Sequence, residues 1–371
     1  MAQKMLGYIN EQQSVWSNIC ENRTEIISSF TVLLMNNKVK RVAMVSSGSS
    51  NYAARIAACL LRPIAADVEW ITVVPTHLEE LGTHFSDTIV FAVSQSGKST
   101  STNQAIRVLR NNGAKVVSVT SDEGSPVAKA GNLHVCIKCG EETVGPKTKG
   151  MTATVLTLYL LGLEIAKVFG KAPKDWITDL NSAFISAQEN IRRSLDFAYK
   201  NAALLAKAPC LTLIADGVGL PISEEGALKL LETLYIPASA WEFEEYLHGV
   251  NNIIGPGVYH IFLLQNNENF YRMNKLIEYC NARGCEVLVI NCSGQEIAFK
   301  NTITLVCTGM PETLAYEALI PYQVLSAVVS EEKNIQCDRP RYPDFYAALG
   351  TKTDAKPDAK TYVEPDTKTG D

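Results

Sequence analysis

The sequence contains no run of basic residues longer than an isolated pair, and its formal net charge is -5 at pH 7. Without a Lys/Arg stripe to track a phosphate backbone, a nucleic-acid partner is not expected. Long hydrophobic runs are missing too: no segment approaches the roughly 18 uninterrupted apolar residues of a membrane span. The opening residues Met1-Ala2-Gln3-Lys4-Met5 also lack the charged start and apolar centre of a secretory signal. A cytoplasmic protein with no membrane partner is the expectation. The five histidines, His77, His84, His134, His248 and His260, show no paired ligand spacing such as HxxxH. A single CxxC, Cys136-Ile137-Lys138-Cys139, has no second pair or His couple beside it. No metal or organic cofactor is called for, and Cys20, Cys59, Cys210, Cys280 and Cys307, set in apolar runs, read as reduced, small hydrophobes.

What is present is an ordinary globular composition over 371 residues, 46% hydrophobic and 20% charged, a length that suits about two domains. After an amphipathic helical stretch at 14–38, short β-branched runs alternate with helical segments. These runs are Arg41 to Ser46, Val68 to Val74, Thr88 to Ser94, Lys115 to Val119 and Leu133 to Ile137. Apolar strands separated by crossover-length helices predict an α/β fold with a doubly wound parallel sheet. Two more helices are expected at 151–169 and 176–206. The rhythm then returns with Cys210 to Ala215, Val258 to Gln265, Glu286 to Asn291 and Ile303 to Cys307, about 170 residues after the first set, the mark of an internal duplication. The boundary is expected within 172–200, giving units at 1–180 and 181–350, each with a five-stranded sheet. The polar tail at 351–371 is expected to be mobile or draped on a partner.

Two loops carry the chemistry of the first unit. Ser47-Gly48-Ser49-Ser50-Asn51-Tyr52 follows the first strand and enters a helix, placing hydroxyls and free N–H groups where a dianion is stabilised. Small residues there are equally good turn and cap formers. The third strand ends in Ser94-Gln95-Ser96-Gly97-Lys98-Ser99-Thr100-Ser101-Thr102, again just before a helix. Adjacent carboxyl ends of parallel strands share one crevice, so the two loops can converge on one ligand. Neither Walker spacing nor GxGxxG accompanies them, which favours a compact phosphomonoester over a nucleotide. In the second unit Ala215-Asp216-Gly217-Val218-Gly219 and Leu264-Gln265-Asn266-Asn267-Glu268 stand in the equivalent places, and a decayed phosphate site is expected there.

The second unit offers Glu224-Glu225-Gly226-Ala227-Leu228-Lys229-Leu230-Leu231-Glu232, in which Glu225, Lys229 and Glu232 share one helical stripe, and a later Glu244-Glu245-Tyr246-Leu247-His248-Gly249. By itself the stripe also reads as a solvated ion-paired face, and His248 as a loop residue.

Together these motifs resemble tandem sugar isomerase (SIS) domains, in particular the isomerase half of glucosamine-6-phosphate synthase and the fructosamine-6-phosphate deglycases, over roughly residues 30 to 345. The resemblance implies that Ser49, Ser50, Ser94, Gln95, Ser96 and Ser99 hold a sugar phosphate, with Ser47, Gly48, Lys147 and Glu225 also in substrate binding. It implies catalytic roles for Glu232 as the proton-moving base, His248 as the ring-opening group and Lys229 beside them. Lys98 stands where the synthase has Glu, and Lys147 where it has a smaller hydroxyl residue; together they are expected to meet the carboxylate of an amino-acid aglycone or to be part of a flexible basic loop. Cys337-Asp338-Arg339-Pro340-Arg341 resembles the synthase's Asp-x-Pro-Arg, after which the sequences part at Tyr342-Pro343-Asp344-Phe345. The chain enters its first helix at once, so a glutaminase and amide transfer are not expected. The expected function is a deglycase acting on a 6-phosphorylated fructosamine. The alternatives are a ketose–aldose isomerase, an amino-sugar deaminase or a non-catalytic sugar-phosphate sensor. The resemblance also implies a homodimer or dimer of dimers whose histidine loop reaches a neighbouring active site.

Overall fold

The computed structural model describes residues 3–353. Most of the polar tail, from 354 onward, lies outside the described residues. Two helices, α1 (Gln3–Glu21) and α2 (Arg23–Met35), replace the one expected at 14–38. Asn22 separates them, its side chain donating back to the Asn18 carbonyl at 2.9 Å, the local competition with the backbone that makes Asn a poor helix-interior residue.

The first sheet follows: β1 (Arg41–Val45), α3 (Ser49–Ile64), β2 (Glu69–Val73), β3 (Thr88–Val93), α4 (Thr100–Asn111), β4 (Lys115–Thr120), α5 (Pro126–Ala130) and β5 (Leu133–Cys136). Helices α6 (Lys149–Val168) and α7 (Trp176–Leu205) lead to the second: β6 (Leu211–Ala215), α8 (Gly219–Leu234), β7 (Ala238–Glu242), α9 (Phe243–Leu247), β8 (Tyr259–Leu264), α10 (Phe270–Ala282), β9 (Glu286–Asn291) and β10 (Thr302–Thr304). The buried α11 (Leu314–Glu332) and the short α12 (Phe345–Ala348) are the last helices among the described residues.

Both sheets are five-stranded and wholly parallel, ordered β2-β1-β3-β4-β5 and β10-β9-β8-β6-β7. Read from its opposite edge, the second order repeats the first, and β1 to β5 correspond in turn to β6 to β10. The duplication is thus structural, and each sheet reverses its winding beside its first strand, where β1 and β3, or β6 and β8, open a crevice at their carboxyl ends. β7 escaped the periodicity reading because Ala-Ser-Ala-Trp-Glu is neither continuously apolar nor β-branched; pairing with β6 makes it a strand.

Strand residues alternate between layers. Val42 and Met44 enter a core shared with the second sheet, whereas Ala43 and Val45 pack outward with Val90, Ile106 and Leu109. Likewise Ile261 and Leu263 face the shared core while Phe262 and Leu264 face Phe270 and Met273. This period of two, with both faces buried, explains the continuous apolar runs. The sheets therefore sit on either side of one central layer of helices, in which α3 packs on α6 and α8, and α11 on α7 and α8. By length and composition α6 could cross a membrane, unlike the expectation from uninterrupted runs, because its threonines and glycine scarcely lower its hydropathy. Yet 83% of its most apolar window is buried inside the protein, so it is a core helix. Cys210 departs from expectation: it precedes β6 rather than joining it and is exposed, while Cys59 and Cys307 are half-buried.

Candidate active site

At the end of β1 the chain turns through Gly48, whose φ of 59° lies in the left-handed region, and α3 begins at Ser49 with no side-chain cap. The serines here are therefore not used as caps. The Ser49 hydroxyl accepts the Lys229 ammonium at 3.1 Å, and the Ser50 hydroxyl accepts the Gln95 backbone N–H at 3.3 Å, joining this loop to the one after β3. That second loop turns through Gly97, with φ 68°. A Cβ at Gly97 would run into the Ser125 side chain, so only glycine fits. Gln95 is oriented by Ser121 at 3.3 Å and by the Cys139 thiol at 3.6 Å. Ser99 is different: its hydroxyl accepts Thr102 N–H at 3.3 Å and caps α4, and it does not line the cleft. The Ser99 hydroxyl, expected to hold phosphate, is seen here capping α4.

These loops form one wall of a cleft of about 1160 Å³. Ser47, Ser49, Ser50, Ser94, Gln95 and Ser96 lie on one side, while Glu232 and Tyr235 come from α8 in the other half of the chain. The segment before α6 contributes Glu142 to Lys147. Glu142 braces this segment by accepting Thr148 N–H and hydroxyl, both at 2.7 Å, and Gly150 N–H at 3.0 Å. Lys147 reaches the cleft but donates to the Glu142 carbonyl at 2.5 Å, and burial lowers its pKa.

On α8 the charged stripe is not a solvated face. Lys229 and Glu225 are each about 1% exposed, and their ion pair measures 3.4 Å. Lys229 also donates to Glu232 at 2.5 Å. Burial acts to lower the Lys229 pKa, but the two carboxylates outweigh it and hold the ammonium charged. Burial pushes Glu225 up to about 7, against the opposing pull of Lys229. Glu225, expected in substrate binding, does not line the cleft and sits as a buried counter-ion of Lys229. Glu232 is about 34% exposed and faces the cleft. Arg55 of α3 pairs with Glu224 at 2.5 Å, a second charged link between the halves. At the end of α8, Tyr235 caps the helix in the left-handed conformation, φ 56° and ψ 35°, a sparsely populated state for a tyrosine.

The end of the described chain covers the cleft. Cys337 to Tyr342, Phe345, Tyr346 and Lys352 line it, and an antiparallel bridge joins Lys352 to Ser99. Thr100 N–H donates to the Thr351 carbonyl at 3.2 Å, and Thr353 N–H to the Lys98 carbonyl at 3.0 Å. Residues 351–353 are thus fastened to the second loop, a contact that polar composition alone does not announce.

His248 is not brought to this cleft by its own chain. It is exposed and follows α9 as its C-cap, α9 being a short helix that stands where a loop was expected. Gly48 contributes its turn rather than a wall. In the second sheet the equivalent crevice is filled internally. Gln265, Asn267 and Asn269 all donate to the Asp216 carboxylate at 2.9 Å, so the donors converge on an acid of the protein itself. Elsewhere His260, Cys280 and Cys285 offer ligand atoms within 4.8 Å of one another, a grouping that sequence spacing did not reveal. They lie in the outer core: His260 bonds Tyr246 at 2.8 Å, and burial pushes the imidazole down to about 4 and the Cys280 thiol up to about 12.

Residues 35–163 match the family model described as SIS domain. The chain is 28% identical over 347 residues to the glutamine–fructose-6-phosphate aminotransferase (isomerizing) of Thermococcus kodakarensis, covering 91% of this chain and 56% of that protein. It spans about half the length of the curated relatives it matches. A Clostridium difficile structure described as a candidate phosphosugar isomerase superposes with TM-score 0.86 at 24% identity, covering 94% of this chain and 99% of that one. The glucosamine-6-phosphate deaminase structure from Thermotoga maritima gives 0.70 at 19% identity, covering 91% and 98%. The first half of the chain thus matches the SIS domain, and the chain with its two equivalent parallel sheets shares the fold of these solved structures.

Proposed function

We propose that the protein is a deglycase for 6-phosphorylated fructosamines. The observation that carries the proposal is the Lys229–Ser49 hydrogen bond, which fixes the base Glu232 beside the serine-rich loops within one cleft. A sugar phosphate seated on Ser49, Ser50, Ser94, Gln95 and Ser96 extends its carbonyl end along α8 toward Glu232. After ring opening, Glu232 removes a proton from C1 and a proton is returned to C2, converting the aminoketose to a C1 imine. Water adds to the imine carbon and the C–N bond breaks, giving hexose 6-phosphate and the free amine. The hydrogen bond from Lys229 aims Glu232. The ring-opening role falls to His248 of a second copy, since His248 is exposed on its own chain.

The match to an isomerizing aminotransferase over most of the chain supports a second reading, plain ketose–aldose isomerisation. Product analysis separates the two. Incubation with phosphorylated fructosamines is expected to release hexose 6-phosphate and amine in equal amounts; interconversion of hexose phosphates without amine release contradicts the deglycase.

A further inference from the structure

Along α8 three side chains meet the cleft system in sequence. Lys229 touches the phosphate loop through Ser49, Glu232 lies one turn on, and Tyr235 ends the helix. Tyr235 lies six positions beyond Lys229, roughly 9 Å of helix axis, about the span from a sugar's phosphate to its far end. At that far position stands Arg341. Its guanidinium lies 4.6 Å from the Tyr235 ring centre and 5.3 Å from that of Tyr342, and all three residues line the cleft. Among the described residues no carboxylate pairs with Arg341.

We propose that Arg341, steadied by Tyr235 and Tyr342, is the receptor for a carboxylate on the aglycone of the substrate, beyond the reacting carbons. The inference rests on the deglycase reading for its substrate and adds the specificity residue. Cation–π contact holds the planar fork without neutralising it, leaving its N–H groups for two parallel bonds to a carboxylate. The strained Tyr235 backbone then has a use: it turns the ring out of the helix path and against the guanidinium. Of the two lysines expected from sequence to take this role together, Lys147 is already engaged by the Glu142 carbonyl, while Lys98 lines the cleft on the second loop.

Arg341 is exposed, so its replacement leaves the core untouched. The test is calorimetric binding in a Glu232→Gln background, which removes turnover. The ligands are the 6-phosphorylated fructosamines of glycine and of methylamine, with hexose 6-phosphate as reference. The protein with Arg341 is expected to prefer the glycine adduct over the methylamine adduct by roughly tenfold or more, the worth of a charge-assisted pair. In Arg341→Ala that preference is expected to fall to near one. An equal loss for all three ligands assigns Arg341 to the phosphate and overturns the proposal, as does a preference that survives the substitution. If the preference follows Arg341 but the unsubstituted enzyme releases no amine, the receptor stands and the deglycase reading fails. If hexose 6-phosphate binds and neither adduct does, both fall.

Discussion

Lys229 of the second half donates a hydrogen bond of 3.1 Å to Ser49 of the first, although 180 positions separate them in sequence. The same ammonium neutralises Glu225 and orients Glu232. One buried cation therefore couples the serine-rich loop after β1, the proposed base and the packing between the two sheets. Replacing it leaves the Glu225 carboxylate buried without its partner. Lys229→Met is expected to destabilise the protein by about 3–5 kcal/mol and to abolish turnover, as read by denaturant unfolding and by product release. Lys229→Met with Glu225→Gln is expected to recover most of the stability and none of the activity. Restored turnover in the double variant contradicts the role of Lys229 beside Glu232.

The raised pKa of Glu225 makes a signed statement about pH. The folded state binds this proton more tightly than the unfolded state does, so the group's contribution is fully present below pH 4.5 and is lost as pH rises through about 7. Its share of stability is on the order of a few kcal/mol across that window. The slope of unfolding free energy against pH between those limits is expected to be less negative in Glu225→Gln. An unchanged slope contradicts the burial argument.

Gly97 has φ 68° and no room for a methyl group against Ser125. Gly97→Ala is expected to displace the second loop and weaken binding of hexose 6-phosphate by at least tenfold, equivalent to about 1.4 kcal/mol. Calorimetry reads the change; unaltered affinity places the phosphate elsewhere.

His248 is exposed, so His248→Ala is expected to unfold at the same denaturant concentration as the parent while losing turnover. If the histidine acts across a subunit boundary, mixing His248→Ala with Glu232→Gln chains restores part of the activity, because some mixed sites hold both groups. Assays of refolded mixtures check this, and no recovery in mixtures shown to contain hybrids contradicts the shared site.

The parallel sheets were legible because strands buried on both faces leave continuous apolar runs; β9, Glu286–Asn291, coincides with its expected bounds. The two hydroxyl-rich loops were legible as turns at adjacent strand ends, although hydroxyls there also serve as caps, as Ser99 does. What escaped the sequence was set by tertiary contact. Ala238–Glu242 becomes a strand only beside β6. Ser99 and Ser49 look alike in sequence, yet one caps α4 while the other meets Lys229, a choice made by the loop's path. Glu225 and Glu232 share a stripe, and only the packing of α8 against α11 and α3 decides which is buried. The fastening of residues 351–353 to the second loop runs through backbone groups, which carry no side-chain signature.

Glu232 is asked to move a proton between neighbouring sugar carbons while the serine loops hold the phosphate. Incubation with a phosphorylated fructosamine in deuterated water, followed by mass analysis of the hexose 6-phosphate released, tests both demands together. The unsubstituted protein is expected to place deuterium at C2, and Glu232→Gln to bind the ligand with similar affinity while transferring none. Deuterium incorporation by Glu232→Gln at the parent rate contradicts the account.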